Sequence, residues 1–462
     1  MGHLVAKEIY QKLGDKIDSL PYRINKNKAL FNILKELYTS EEAELIVKMP
    51  LELSPAEQIE KATRIEISKL NSLLENLCAK GLIVDLWIEN GYYYMPSPMV
   101  VGIFELTMMR TGQNLNSKKW AELFYEYNNN ANSYAVNFGK GQQISPLRTL
   151  PHEDAVSESD YTQVLDFENA ISIVNSNKNF AIGLCSCRHE KLHVGEKKCD
   201  VPLKTCISLG YITDYMVRHK FAKKVSKTEI IESLTRSKEM GLVFSCDNVR
   251  NNVSFLCQCC SCCCNVLTGI SKFGYPNTIV TSSFIANINF DTCEGCGKCS
   301  KACPIGAIEM VASKNPEGGK KKVPQINTAI CIGCGVCSLK CSKTRSMKLI
   351  KRGKRFIHPE TTFERIILQS LERGTLQHQI FGNPEKITQK VMKGFVGGFL
   401  KLSPVKKALM SEKLRSSFLD MMKKGVVKQN KEYLLRFRLS LSFLYQRGIV
   451  NFDGEFNILM NR

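Results

Sequence analysis

Apolar positions recur at helical spacing over residues 28–38 and 41–49, and Ile67, Leu70, Leu74 and Leu77 line one face of a further helix that Gly81 ends. Ser54-Pro55-Ala56-Glu57 reads as a capping box with proline at the first helical position, and Thr63-Arg64-Ile65-Glu66 as a second that opens the next helix. Residues 82–88 and 92–95 then flank Asn90-Gly91, a strong short hairpin signal. Over 97–180 the pattern is that of helical connecting structure, with 118–127 and 166–175 the clearer helices. Residues 180–184 form a short buried strand leading into Cys185, and 227–240 a further helix. From 343 to 462 the pattern is mainly helical, basic and amphipathic; Gly394, Gly397 and Gly398 interrupt one helix and Pro404 starts another.

The helix–helix–helix–hairpin order of residues 28–96 resembles a winged helix-turn-helix, and that resemblance raises DNA binding. The charges argue against it. Arg64, Lys69 and Lys80 are offset by Glu66 and Glu75, and the wing over 87–94 is acidic and aromatic, whereas duplex binding needs a net basic face. DNA is therefore not the expected partner; packing or docking of a protein partner is. The expected fold class is α+β and multidomain. It comprises a winged-helix-like domain over 1–110, a helical connector over 111–180 and a cysteine-rich α/β domain over 181–283. A ferredoxin-like domain over 284–352 and a basic helical region over 353–462 follow.

Composition narrows the class. With 44% apolar and 23% charged residues in 462, the chain is globular and too long for one hydrophobic core. A membrane-spanning helix needs about 18–20 nearly uninterrupted apolar residues, and the best stretches, 391–400 and 439–450, are short, glycine-bearing or broken by polar residues. Met1-Gly2-His3-Leu4-Val5 has no basic segment leading into a long apolar run, so the expected location is the cytoplasm. The net charge is +20, and residues 343–462, with 25 Lys+Arg against 9 Asp+Glu, carry most of it. Such a terminus folds against the protein body with solvated lysines, or docks on a membrane surface or an acidic protein.

Of 20 cysteines, all but Cys78 lie between Cys185 and Cys341. In a long chain without a secretory signal this density points to metal ligation in a reducing, anoxic compartment rather than to disulfides. Cys293, Cys296, Cys299 and Cys303-Pro304 follow the spacing C-x2-C-x2-C-x3-C-P, and Cys331, Cys334, Cys337 and Cys341 repeat it 38 residues later. Zinc knuckles would need CxxC pairs, not two runs of four. The segment 284–352 resembles the bacterial two-cluster ferredoxin. The resemblance implies two [4Fe–4S] clusters, one held by Cys293, Cys296, Cys299 and Cys341, the other by Cys331, Cys334, Cys337 and Cys303. The second motif ends in Ser342 where the family has proline. Ser342 adds hydrogen-bond donors near a cluster sulfur, and Lys298, Lys301, Lys340 and Lys343 add positive charge, so the expected potentials are less negative than those of an acidic ferredoxin. The lysine- and glycine-rich loop 314–322 is a solvated insertion or a docking surface for an acidic redox partner.

Upstream stands a second field of eleven cysteines: Cys185, Cys187, Cys199, Cys206, Cys246, Cys257, Cys259, Cys260, Cys262, Cys263 and Cys264. Read as a helix, 257–264 would turn Cys257, Cys260 and Cys264 to one face. Candidate ligands of an additional centre are then Cys185, Cys187, Cys199, Cys206, Cys257, Cys260 and Cys264. Three readings stand open: a third iron–sulfur cluster, a structural zinc site, or thiols that are buried or catalytic. Arg188 and His189 offer hydrogen bonds to a charged centre or are surface residues. The ensemble is similar to multidomain ferredoxin-like proteins of anaerobic prokaryotes. The leading function is an electron-transfer protein or subunit relaying single electrons. The alternatives are an oxidoreductase with its active centre in the cysteine-rich domain and a redox-sensing winged-helix regulator. No dinucleotide or P-loop fingerprint accompanies the cysteines, so whether the chain is itself an enzyme is left open.

Overall fold

The computed structural model describes residues 2–160, 166–313, 321–353, 356–381, 387–429 and 431–438. Most of the loop 314–322 and the apolar stretch 439–450 lie outside these residues. Among the described residues no helix is long and apolar enough to cross a membrane.

The N-terminal part places strand β1 (Ser54–Pro55) among helices Lys28–Leu37, Ser40–Lys48, Ala56–Thr63 and Ile67–Lys80, and follows them with the hairpin β2 (Ile83–Ile88) and β3 (Gly91–Pro96). The hairpin turns at Asn90-Gly91, and β3 pairs with both other strands in the order β1-β3-β2. The two capping boxes read from the sequence do not form. Ser54 and Pro55 are strand residues, and Pro55 caps the next helix without a side-chain bond. Thr63 ends that helix with its hydroxyl on the Ile59 carbonyl, and Glu66 rather than Thr63 caps Ile67–Lys80. The β1–β3 pairing claims the backbone that a cap at Ser54 would need. Capping boxes do form at Thr39/Glu42 and Ser226/Glu229.

The middle is built on six strands: β4 (Leu147–Leu150), β5 (Phe180–Leu184), β6 (Lys204–Leu209), β7 (Ala222–Lys224), β8 (Val243–Asp247) and β9 (Phe255–Cys259). Their order is β4-β8-β9-β6-β5-β7, antiparallel throughout. The α/β expectation for this region is thus corrected to α+β, and the stretch read as a helical connector supplies an edge strand. β4 is buried at all four positions, and its Leu-Arg-Thr-Leu alternation is too short to stand out in sequence. Helices Ser117–Asn128 and Lys227–Glu239 form where the pattern puts them.

Strands β10 (Phe284–Ile288), β11 (Ile308–Ala312), β12 (Lys322–Ile326) and β13 (Met347–Lys351) form two antiparallel pairs, β10–β13 and β11–β12. Among the described C-terminal residues, helices Thr362–Arg373, Ile387–Lys401, Ser403–Met410 and Glu412–Lys428 pack partly around Ile144, Leu368, Leu371 and Phe418. Gly394, Gly397 and Gly398 do not interrupt their helix. A Cβ at Gly397 would lie 2.9 Å from the Gln377 side chain, so the absence of a side chain there permits close helix contact. Tyr433 returns to the small N-terminal sheet: its hydroxyl donates to the Leu53 carbonyl at 3.0 Å and its ring packs against Tyr93 at a tilt of 45°.

A buried ion-pair network ties the middle region to the N-terminal hairpin. Asp85, 1% exposed, accepts from Arg218 at 2.6 and 3.0 Å and lies 3.2 Å from His219 Nε2. Asp85→Asn should lower stability by about 2–3 kcal/mol, because it leaves a partly screened guanidinium without its counter-charge. A lower urea midpoint at unchanged slope is the measurement expected.

Candidate metal centres

The two ferredoxin-type loops owe their tight curl to glycine. Gly295 and Gly333 both have positive φ, and a Cβ would come 2.3 Å from the Lys322 carbonyl at the first and 2.1 Å from the Phe284 carbonyl at the second. Each loop is thereby tucked beneath a neighbouring strand, with its cysteines turned inward. Cys293, Cys296, Cys299 and Cys341 line one cavity with Ile288, Pro324 and Met347. Cys303 stands instead with the second motif, close enough to Cys331, Cys334 and Cys337 for their charges to interact. Each group thus takes three cysteines from one motif and one from the other. The first opens outward at exposed Cys296, whereas Cys331, Cys334 and Cys337 are buried, and burial pushes the Cys334 thiol up to about 12.

Hydrogen bonds reach the sulfurs from the backbone. Gly295 N–H donates to Cys293 Sγ at 3.4 Å and Ala307 N–H to Cys303 Sγ at 3.1 Å. The hydroxyl that reaches Cys341 Sγ, at 3.5 Å, belongs to Thr344; Ser342 is exposed in the turn. Of the four nearby lysines, Lys343 pairs with Glu294 at 2.9 Å and Lys340 donates to the Glu239 carbonyl at 3.1 Å. The carboxylate offsets part of the positive charge expected there.

The upstream field does not gather into one centre. The segment 257–264 is not a helix: β9 ends at Cys259, a turn carries Cys260–Cys264, and the helix Asn265–Ser271 follows. The Cys199, Cys260, Cys262 and Cys263 sulfurs all lie within 4.8 Å of one another, with separations of 3.4–4.0 Å between neighbours. Four thiolates around one metal at about 2.3 Å stand about 3.8 Å apart, so this group fits a single tetrahedral ion. No three of the eight ferredoxin-type sulfurs come so close, as ligands that radiate from four irons require. A hydrogen bond from Cys263, and then the Arg188 guanidinium, hold Cys260 down to about 5 against the effect of burial.

Cys185, Cys187, Cys206, Cys257 and Cys264 gather elsewhere, with Cys259, on one face of the six-stranded sheet. The ligand set read from the sequence therefore divides, because the strand and turn send its members in two directions. Cys259, Cys262 and Cys263 stand outside the ligand set expected from the sequence. The Cys257-Gln258-Cys259 alternation, a strand's period of two, was the signal for the first. Cys246 points to the opposite face among apolar side chains, and burial pushes its thiol up to about 12. Cys78, Asp85 and His219 also converge within 4.8 Å, but Arg218 already neutralises that carboxylate.

Residues 292–344, which contain all eight ferredoxin-type cysteines, match the family model of the 4Fe-4S dicluster domain. The chain thus carries an iron–sulfur, ferredoxin-like segment, and its chemistry is that of electron transfer. Comparison with curated proteins and with solved structures gives no match. Replacing Cys262 and Cys263 together by alanine should lower the metal content by about one equivalent per chain relative to wild type, as measured by elemental analysis of parallel preparations.

Proposed function

We propose that the protein relays single electrons through two [4Fe–4S] clusters, as an electron-transfer protein or as the electron-transfer subunit of an oxidoreductase. Cys293, Cys296, Cys299 and Cys341 hold one cluster, and Cys331, Cys334, Cys337 and Cys303 the other. The observation that carries this reading is the crossing of the fourth cysteine: Cys341 lines the first motif's cavity, and Cys303 stands with the second. When bound, such clusters take up and release one electron each with little rearrangement. The chain's residues set where and how easily. The N–H groups of Gly295 and Ala307 and the hydroxyl beside Cys341 favour the more negative state. Exposed Cys296 gives the first site an outward approach, and the buried second site faces the protein's interior.

A third, single-metal site at Cys199, Cys260, Cys262 and Cys263 completes the reading, as a structural staple for the turn after β9. The regulator alternative loses ground on particular contacts. Lys69 and Lys80, on the helix that would enter DNA, pair with Glu41 and Glu42 at 2.5 and 2.6 Å, and Tyr433 covers part of the hairpin. Basic side chains already neutralised by acids release few counterions from a duplex.

Full-length protein purified without oxygen should contain at least about eight irons with matching acid-labile sulfide, and Cys341→Ala should lose about four of each. Fewer irons in the wild type would sink the two-cluster reading. If the redox partner is acidic, the rate of electron exchange should fall as ionic strength rises from about 50 to 300 mM, as followed by stopped-flow absorbance. A flat profile would remove the electrostatic docking.

A further inference from the structure

The six thiols on the sheet face are placed by secondary structure. Cys257 and Cys259 lie two residues apart on β9 and share its face. The register that pairs Ile207 with Leu256 sets Cys206 opposite Cys257 on the neighbouring strand. Cys185 and Cys187 open the helix Ser186–His193, and Cys264 caps Asn265–Ser271. Their sulfurs run as a chain of neighbours: Cys206, Cys257, Cys259, Cys264 and Cys187, with Cys185 beside Cys187 and Cys259. No three of the six lie within 4.8 Å of one another, so the group is too wide for one tetrahedral ion. No disulfide links any of the six.

Arg188 decides what the group is for. Its side chain is 0% exposed. Its guanidinium donates to Cys260 Sγ at 3.3 Å, to the Pro202 carbonyl at 3.3 Å, and to Thr205 Oγ1 and the Gln258 carbonyl. Among the described residues no carboxylate pairs with it. The carbonyls and the hydroxyl satisfy its N–H groups but carry no charge. The groups that bear most on its charge are the thiols of Cys185, Cys260 and Cys259. A guanidinium stays charged in a protein, and a buried charge without a counter-charge costs several kcal/mol. The nearby groups that can become anionic are cysteines, and a cysteine is anionic when it ligates a metal.

We propose that Cys185, Cys187, Cys206, Cys257, Cys259 and Cys264 cradle a polynuclear iron–sulfur cluster, separate from the ferredoxin-type pair and from the four-cysteine site, with Arg188 as its buried counter-charge. The location suits exchange with the ferredoxin-type segment. Cys259 and Cys264 pack into the same core as Cys299, Cys331, Cys334 and Cys337, while Cys187 and Cys206 pack against the N-terminal core. Arg188 also touches Cys260 of the four-cysteine site and so stands between the two groups.

Full-length protein made with 57Fe and purified without oxygen tests this by iron and sulfide analysis, Mössbauer spectroscopy and EPR-monitored potentiometry. Beyond the eight irons of the ferredoxin-type segment, at least about two more should be present, spin-coupled and matched by labile sulfide. The double variant Cys257→Ala/Cys259→Ala should lose that surplus and keep the eight, whereas Cys199→Ala/Cys262→Ala should retain it. Arg188→Met, which keeps the volume and removes the charge, should shift the midpoint of the additional signal to more negative potential and leave the ferredoxin-type midpoints in place. If the double variant does not fold, the wild-type Mössbauer spectrum and the Arg188→Met titration decide alone. The proposal is overturned by a wild type with eight irons and no sulfide-matched surplus, whatever single ion the four-cysteine site holds, or by a midpoint that Arg188→Met leaves unmoved. The first of these would leave the two-cluster reading standing. A surplus lost in the double variant, with fewer than eight irons elsewhere, would overturn that reading and spare this one.

Discussion

The pairing of β6 with β9 is the constraint on which the cysteine chemistry of this protein depends. It brings Cys206 to Cys257 across fifty residues of chain, and it assigns the alternating residues of β9 to their faces. Cys257 and Cys259 turn to the thiol side. Gln258 turns to the other, where Ser233 and Ser237 of the helix Lys227–Glu239 bond to it. A slip of one residue would exchange the two sets and bury thiols where hydroxyls now satisfy an amide. β8 on the far side of β9 holds the register through four residue pairs, so the assignment rests on more than one strand.

Charge follows from that placement. Arg188 is drawn into the interior at the point where two thiol groups approach each other. Burial, the largest single effect, opposes its charge, yet the Cys185, Cys260 and Cys259 sulfurs together raise its pKa. Arg148, also fully buried, is within electrostatic reach of Asp247, itself buried. Arg188 instead has sulfur as its neighbouring source of negative charge. The Asp85–Arg218–His219 network shows the ordinary alternative, in which a carboxylate does the same work.

The ferredoxin-type segment is not an appended module. His152 N–H donates to the Cys334 carbonyl at 3.0 Å, and a Cβ at Gly335 would strike Ala155, so the second motif's loop lies against the segment after β4. The strand pair β11–β12 packs beside the first motif, of which Cys296 alone among its four cysteines is exposed, while Cys331, Cys334 and Cys337 share a buried core with Cys264 and Val243.

The two ferredoxin-type motifs within the matched segment were legible in the sequence, because such a motif is local: three cysteines two residues apart and a glycine to let the loop curl. The Asn90-Gly91 hairpin and the longer helices were legible for the same reason, since turn chemistry and helical period act within a few residues. The upstream field was not. That Cys199 joins Cys260, Cys262 and Cys263, that Cys246 faces away, and that Arg188 lies at 0% exposure all depend on strand register and on contacts up to about seventy residues apart in sequence. Composition could raise the expectation of metal in residues 185–264. Only the tertiary structure could sort eleven thiols into four, six and one, because a sulfur's partners are fixed by which face of a strand it leaves and what the neighbouring strand brings opposite.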